Sequence, residues 1–331
     1  MAKMDEDRWT ERLAKFYVHS ERIPVGPGED CVHLREVPGR EMVVSIDAHR
    51  EGVHFTLEFL NLRDVGHRSL ALALSDLASV GAAPLTYLIN LEVPPHLGLE
   101  QTVEIYHGFR DLNQEYCISP SGGNLTRGER LGLTLVVLGE VKAQQGLLRS
   151  QAQEGDYLVV TGDLGRSAAG LMLLKNPDLR RALGSSVVDP LVDKFRNPWP
   201  RIKDMEYILQ LARVNAAIDI TDGLGKDLFR MAKRSDVEIV IYEDRLPLHE
   251  ALLTFTQRIH ADPTEFAVAS GEELEVAFTL PPEEFQKIEN LRVPVTVIGE
   301  VRPGFVPGVL LRRKSGEEIP VGHLGYDHLA T

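Results

Sequence analysis

The chain has almost none of the residues and spacings that announce the commoner chemistries. Its 331 residues include two cysteines, Cys31 and Cys117, with no Cys-x-x-Cys pair. That excludes a cysteine zinc site and a disulfide framework, and it fits a reducing cytosol. No apolar run approaches the ~20 residues needed to span a bilayer. The opening segment, Met1 to Thr10, is charged and lacks the apolar core of a signal peptide. A soluble, cytoplasmic protein with no membrane partner is the expectation. Basic residues are also scarce: 36 Lys and Arg stand against 49 Asp and Glu, a net charge of −13. So acidic a chain argues against a nucleic-acid groove. It leaves anionic small substrates open, because bound metal ions reverse the local field. There is no G-x-G-x-x-G fingerprint, no Walker loop and no G-x-S-x-G elbow, and none of the eleven histidines sits in an H-E-x-x-H pattern.

What is present is an ordinary enzyme composition, 43% hydrophobic and 26% charged. The length suits two domains of roughly 150 residues each. The unusual feature is where the acids fall. Asp76 lies in the apolar helical run from Leu70 to Gly81, which holds no Lys or Arg. Apolar strand-like stretches end in Ser45-Ile46-Asp47 and in Asp219-Ile220-Thr221-Asp222, and Gly28-Glu29-Asp30 opens another segment. An ionised carboxylate on so apolar a segment is costly to bury unless something cationic meets it. Several acids at the ends of buried elements point to a site for hard divalent cations, because oxygen ligands suit magnesium.

Hydrophobic periodicity predicts helices over 8–20, 64–80 and 99–116, one beginning at Ser167 and one after Ile220. Strands are expected at 42–46, 84–93, 131–141, 157–161, 216–220, 237–242, 275–280 and 293–299. Residues 190–200 read as loop. The polar, Gln-rich stretch 142–156 marks a domain boundary, giving domains 1–147 and 148–331. Strands and helices alternate in both halves, which supports an α/β or α+β class. A faint echo links Thr134–Val141 with Thr296–Val301, both ending in Gly-Glu-Val.

Single motifs are ambiguous. The glycine turn Thr161–Gly170 opens a helix whose free backbone N–H groups suit an anion, although tight packing of a small-residue helix is the commoner reason for such a run. Ser121-Gly-Gly-Asn-Leu-Thr-Arg-Gly128 is either a polar turn or a phosphate-binding segment. Asp222 before Gly223 suits an N-cap, which leaves Asp219 unexplained. Glu272 and Glu273 precede an apolar strand, as solvated acids often do. His54 beside Phe55 is a candidate base or a structural histidine.

Taken in order, these segments resemble the thiamine-monophosphate kinase family. It belongs to the ATP-binding superfamily that includes aminoimidazole ribonucleotide (AIR) synthetase, selenophosphate synthetase and a hydrogenase maturation protein. The resemblance rests on Gly28-Glu-Asp-Cys31, Ser45-Ile-Asp47, Glu51-Gly-Val-His-Phe55, Leu74-Ser-Asp-Leu-Ala78 and Gly81-Ala-Ala-Pro84. It continues through Gly122–Gly128, Val160-Thr-Gly162, Ser167–Gly170, Pro198-Trp-Pro-Arg201, Ile218–Leu224, Gly271-Glu272 and Gly325-Tyr-Asp-His328. It implies a two-domain AIR-synthetase-like fold, dimerised through N-terminal strands, with ATP and several Mg²⁺ ions between the domains. By the same resemblance, Asp30, Ser45, Ile46 (through its carbonyl), Asp47, Asp76, Asn124, Asp219 and Asp222 fall at metal positions. Tyr106, Gly123, Asn124, Arg149 and Thr221 fall at nucleotide positions, and His54, Glu272 and Tyr326 at the thiamine phosphate. The family usually carries Asp at 124, Thr at 46, Asp at 29 and Asp-Tyr at 273–274, where this chain has Asn124, Ile46, Glu29 and Glu273-Leu274. The relatives that use a reactive N-terminal or C-terminal Cys fit less well, since neither end carries one.

The implied reaction converts ATP and thiamine monophosphate to ADP and thiamine diphosphate. Its acceptor is a phosphate oxygen already ionised near pH 7, with a second pKa of about 6, so no general base is required. The obstacle is repulsion between two polyanions, roughly 4 kcal/mol for each pair of unit charges at about 4 Å in a medium of dielectric ~20. Acids holding several magnesium ions remove it, and Asp47, Asp76 and Asp219 are the residues expected to be indispensable. Two alternatives stand beside this one: a superfamily enzyme with a different acceptor, and a non-catalytic nucleotide-binding dimer.

Overall fold

The computed structural model describes residues 6–291, 294–304 and 306–327. The chain divides into two compact units. One is built from the chain up to Leu77 together with Ala82–Gly146, the other from Ala78–Gly81 and the chain from Leu147 onward. Among the described residues no helix is long and apolar enough to cross a membrane.

The first unit contains α1 (Glu6–Ala14), β1 (Arg40–Arg50), α2 (Leu62–Ser79, all but its last two residues), β2 (Ala83–Val93), α3 (Leu99–Gly108), α4 (Arg110–Tyr116), β3 (Pro120–Arg127) and β4 (Gly132–Lys142). Its four-stranded sheet has the order β1-β4-β2-β3. β4 runs antiparallel to both neighbours, while β2 and β3 are parallel. Strand alternation divides the sheet into two faces. Leu133, Leu135, Val137 and Ile89 are buried on the inner face. On the outer face Val44 and Ile46 are 60% and 66% exposed, and Met42 is exposed beside them.

Helix α2 is buried almost all round, as a helix without a continuous polar face must be. Two glycines let α3 approach it. A Cβ on Gly66 would collide with the carbonyl oxygen of Ile105, and one on Gly108 with that of Arg63.

The second unit contains β5 (Tyr157–Thr161), α5 (Arg166–Lys175), α6 (Pro177–Ala182), α7 (Ser185–Arg196), α8 (Ile202–Leu211), β6 (Ala216–Asp219) and α9 (Leu224–Ser235). It continues with β7 (Glu238–Tyr242), α10 (Glu250–Arg258), α11 (Pro263–Ala269), β8 (Val276–Leu280), α12 (Pro282–Phe285), β9 (Val295–Arg302), β10 (Gly308–Arg312) and β11 (Glu318–Pro320). The seven-stranded sheet has the order β11-β10-β7-β9-β5-β8-β6. Among the described residues of this sheet, only β7 and β10 pair in parallel.

Several sequence expectations are corrected. The segment 99–116 is two helices, broken at Phe109. The polar run 121–128, read as a polar turn or a phosphate-binding segment, falls largely within strand β3. Its glycines and short polar residues are poor strand formers, but Gly123 packs so closely on the Ile89 backbone that any Cβ would collide there. Residues 190–200, read as loop, begin inside α7, which contains Pro190. Val188, Leu191, Val192 and Phe195 are buried along that helix, and this burial outweighs the missing proline donor. The strand expected from Val293 starts at Val295; Val293 itself, like His328 of the terminal motif and Met1–Asp5, lies outside the described residues.

The glycine crossing in the first unit is directly testable. Gly108→Ala should lower stability by about 1–3 kcal/mol or more, because backbone rather than a flexible side chain must give way. A urea unfolding midpoint unchanged from wild type would contradict this account.

Candidate functional site

In the first unit, alternation along β1 turns Ser45, Asp47 and His49 to one face and Ile46 to the other. Ser45 Oγ donates to Oδ2 of Asp76 on α2, so the acid in the apolar helix is met by a hydroxyl. Asp47 Oδ1 accepts from the N–H of Ala48 at 2.9 Å, and its Oδ2 lies 3.6 Å from Nε2 of the buried His49. His54 follows in the turn after β1. Its Nδ1 accepts from the N–H of Arg50 at 3.1 Å, and its ring stands edge-on to His49 at 5.6 Å.

The other expected residues of this unit are not gathered at that point. Asp30 is exposed in the segment before β1. Asn124 pairs in register with Asn90, and Asn90 with Thr134, which pairs in turn with Ala48. Asn124 therefore shares the outer face with Ala48 and Ile46, opposite Ser45 and Asp47. Its Nδ2 donates to Oδ1 of Asn90 at 2.8 Å. Gly123 is in register, through Ile89 and Leu135, with Asp47. Tyr106 is buried against Phe16 and Phe109, with ring centroids 5.2 and 5.4 Å away. Burial pushes its phenol well above the usual range.

The second unit brings four expected residues together beyond the C-terminal end of β6. Asp219 ends that strand and is 4% exposed. The carbonyl of Thr221 accepts the N–H of Glu272, and the carbonyl of Asp222 that of Tyr326, both at 2.7 Å. Gly223 and Gly325 permit this crossing: both have positive φ, and a Cβ on Gly325 would strike the Asp222 carbonyl. Lys226 donates to the carbonyl of Tyr326. Asp222 pairs with Arg230, and Lys226 Nζ lies 3.9 Å from it. Arg149 is exposed elsewhere in the unit, its carbonyl accepting from Ser235 Oγ.

Sequence reading missed Asp227. Its Oδ2 accepts the consecutive N–H groups of Thr221, Asp222 and Gly223 at 3.0, 2.9 and 3.1 Å. Burial raises its carboxyl to about 6, against the opposing pull of Arg230. The only sequence signal was an acid on the buried stripe of a helix, the same signal that singled out Asp76.

The glycine turn before α5 does hold an anion, and that anion is the chain's own. Glu273 is fully buried, and its Oε1 accepts from the N–H groups of Gly165 and Ser167 at 3.0 and 3.2 Å and from Ser270 Oγ. Two residues on, Glu275 is bound by Lys194, by Arg201 at 2.6 and 2.8 Å and by Thr161 Oγ1 at 2.7 Å. Gly162 makes room for it, since a Cβ there would strike the carboxylate. Burial raises the Glu273 carboxyl to about 7, Glu275 adding to the rise and Lys194 opposing it. Burial acts the same way on Glu275, but the Lys194 and Arg201 charges outweigh it and hold it near 2.

Ser45, Asp47, Asp76, Asp219 and Asp222 offer oxygen donors alone, the chemistry Mg²⁺ takes. Among the described residues no three His, Cys, Asp or Glu side chains form a ready cage. Magnesium commonly uses one or two carboxylates and completes its shell with water and substrate phosphate, so the donors that each unit offers by itself fit it.

Residues 28–141 match the N-terminal domain, and 153–311 the C-terminal domain, of the AIR synthase related proteins. The class is thus a two-domain protein of AIR-synthase type. The chain is 31% identical to the thiamine-monophosphate kinase of Bacillus subtilis over 98% of its own length and 99% of that protein. The crystal structure of thiamine-monophosphate kinase from Stenotrophomonas maltophilia superposes with a TM-score of 0.81 at 31% identity, covering 93% of this chain and 96% of that one. AaThiL complexed with AMPPCP and TMP gives 0.76 at 29% identity, over 86% and 87%. This chain belongs to the thiamine-monophosphate kinase family.

The two buried glutamates predict opposite pH responses. Glu275, depressed from 4.5 to about 2, contributes stability above pH 4.5 that is lost on acidification toward 2. Glu273, raised from 4.5 to about 7, contributes stability below pH 4.5 that is lost as pH rises through 7. Chemical denaturation across this range should therefore show Glu273→Gln gaining on wild type between pH 4.5 and 7. A constant difference between the two proteins would refute the assignment for Glu273.

Proposed function

We propose that this protein transfers the γ-phosphoryl group of ATP to thiamine monophosphate, giving thiamine diphosphate and ADP. The observation that carries the proposal is the near full-length match to the kinase family, including a relative solved with AMPPCP and TMP. AMPPCP is a non-hydrolysable ATP analogue, and TMP is read as thiamine monophosphate.

The acceptor phosphate is a ready nucleophile near neutral pH, so the chain has to bring two polyanions together and align them rather than remove a proton. Magnesium, when bound, supplies the neutralising charge. In the first unit Ser45, the carbonyl of Ile46, Asp47, Asp76 and Asn124 are assigned to magnesium, with Asp30 in support; in the second unit Asp219 is assigned to magnesium, with Asp222 in support. The Ser45–Asp76 hydrogen bond orients one carboxylate oxygen before any ligand arrives. Asp227 fixes the Thr221–Gly223 backbone, which keeps Thr221 and Asp222 in place. Gly123, Tyr106, Arg149 and Thr221 are assigned to the nucleotide. His54, Glu272 and Tyr326 are assigned to thiamine monophosphate, with the half-exposed Tyr326 ring suited to stacking on its cationic thiazolium.

The working protein is proposed to be a cytoplasmic homodimer. Met42, Val44 and Ile46 project from β1, an edge strand of the sheet, and are exposed. An unpaired edge carrying an apolar face is a natural surface for a second copy.

The decisive assay follows thiamine diphosphate and ADP formation from ATP and thiamine monophosphate across a magnesium titration. Asp76→Asn should lower kcat by ~10²-fold or more, the scale of losing one preorganised charge-stabilising group, while circular dichroism stays native. Near-normal turnover in that variant would remove Asp76 from the metal account. For the assembly, Val44→Glu should convert a dimer to a monomer in analytical ultracentrifugation, and an unchanged mass would place the interface elsewhere.

A further inference from the structure

Glu272 and Leu274 both adopt the left-handed backbone region, with φ of 56° and 55°. For residues that carry a Cβ this costs roughly 1–2 kcal/mol each, and such conformations persist only where the surroundings enforce them. Part of the enforcement is backbone: Glu272 N–H bonds to the Thr221 carbonyl, and Glu273 and Leu274 N–H both bond to the Ile220 carbonyl at 3.1 Å. One side chain, that of Glu273, lies between the two strained residues.

Glu273 is fully buried. Helix α5 has no side-chain cap of its own, because Gly165 occupies the N-cap position. Glu273 supplies it from 108 residues further along the chain, taking the N–H groups of Gly165 and Ser167. The Ser270 hydroxyl binds the same oxygen, so both the start of the loop and the helix end are tied to Glu273. The other oxygen, Oε2, is buried and has no hydrogen-bond partner among the described residues. One acceptor atom therefore joins three donors across the base of the loop that carries Glu272.

We propose that Glu273 is a positioning residue for the acceptor substrate: by capping α5 through Oε1 it holds Glu272 in its left-handed conformation beside Thr221 and Asp222, and so sets the affinity for thiamine monophosphate. This rests on the kinase reading and on Glu272 belonging to the acceptor site. The cap requires an acceptor oxygen at the end of a side chain of this length, and it does not require a negative charge. Gln at 273 preserves that atom and Ala removes it.

The experiment compares wild type, Glu273→Gln, Glu273→Ala and Ser270→Ala in two measurements. The first is steady-state kinetics with separate KM values for thiamine monophosphate and ATP. Glu273→Ala should raise the KM for thiamine monophosphate about tenfold, the equivalent of losing roughly one net hydrogen bond, with the KM for ATP little changed. Glu273→Gln should restore the wild-type value. Ser270→Ala, which removes a single donor, should shift the same KM by a smaller factor and serves if Glu273→Ala does not fold. The second is amide hydrogen exchange, which does not depend on activity. Exchange at 271–274 and in the first turn of α5 should accelerate in Glu273→Ala and stay slow in Glu273→Gln.

Equal changes in both KM values, no change in either, or failure of Gln to rescue would overturn the positioning role in an active kinase. Unaltered exchange in Glu273→Ala would overturn the cap itself. A wild-type protein with no turnover on thiamine monophosphate would instead overturn the kinase reading, and the acceptor role with it, while exchange still decides the cap.

Discussion

A buried carboxylate must be surrounded by donors, and the second unit is organised around three of them. Removing such a group from water costs several kcal/mol unless hydrogen bonds or opposite charges replace the water. Asp227 meets this requirement with three successive backbone N–H groups, Glu273 with the open end of α5, and Glu275 with a lysine, an arginine and a threonine. Each solution fixes a piece of backbone. The segments fixed are Thr221–Gly223, the start of α5 and the loop 270–275, which include several residues assigned to substrate and metal. The rigidity of these segments follows from the satisfaction of buried charge.

The first unit relies on close backbone approach more than on buried charge. Gly66 and Gly108 allow α2 and α3 to cross with almost no space between them, and Gly123 lets β3 lie tightly on β2. On α2, Asp76 accepts a hydrogen bond from Ser45 of β1. The period of two along β1 then separates two uses of one strand. Ser45 and Asp47 turn toward the helix, while Val44 and Ile46 form an exposed apolar face.

Much of this was legible in the amino-acid order. Long periodic segments such as α2, β2 and β4 were placed to within a residue or two, because one buried face imposes a repeat on many side chains. Segments defined by backbone were not. β3 contains Ser121-Gly122-Gly123-Asn124 and reads as a turn, since pairing in its sheet uses main-chain groups that leave no side-chain signature. α7 contains Pro190, and its part from 190 onward reads as loop, because its amphipathic stripe matters only once α5 lies against it. The repeated Gly-Glu-Val ending has a local reason as well. Gly139 and Gly299 lie in interior strands of their sheets, where a Cβ would collide with a neighbouring carbonyl.

The same division holds for the site. By itself the sequence determined the kind of chemistry, since acids stranded in apolar segments are costly and are kept where a cation or donor meets them. It also determined which residues were candidates, Asp47, Asp76, Asp219 and Asp222 among them, because their neighbours in the chain are apolar. Only the tertiary structure decided what each acid meets. It put a serine beside Asp76, two cations beside Asp222, and Asn124 on the opposite sheet face from Asp47. It also filled the glycine-turn anion site with Glu273. Those outcomes depend on groups brought together from as many as 108 positions apart, and hydrogen bonds and charges act through space, where chain order carries no record of distance.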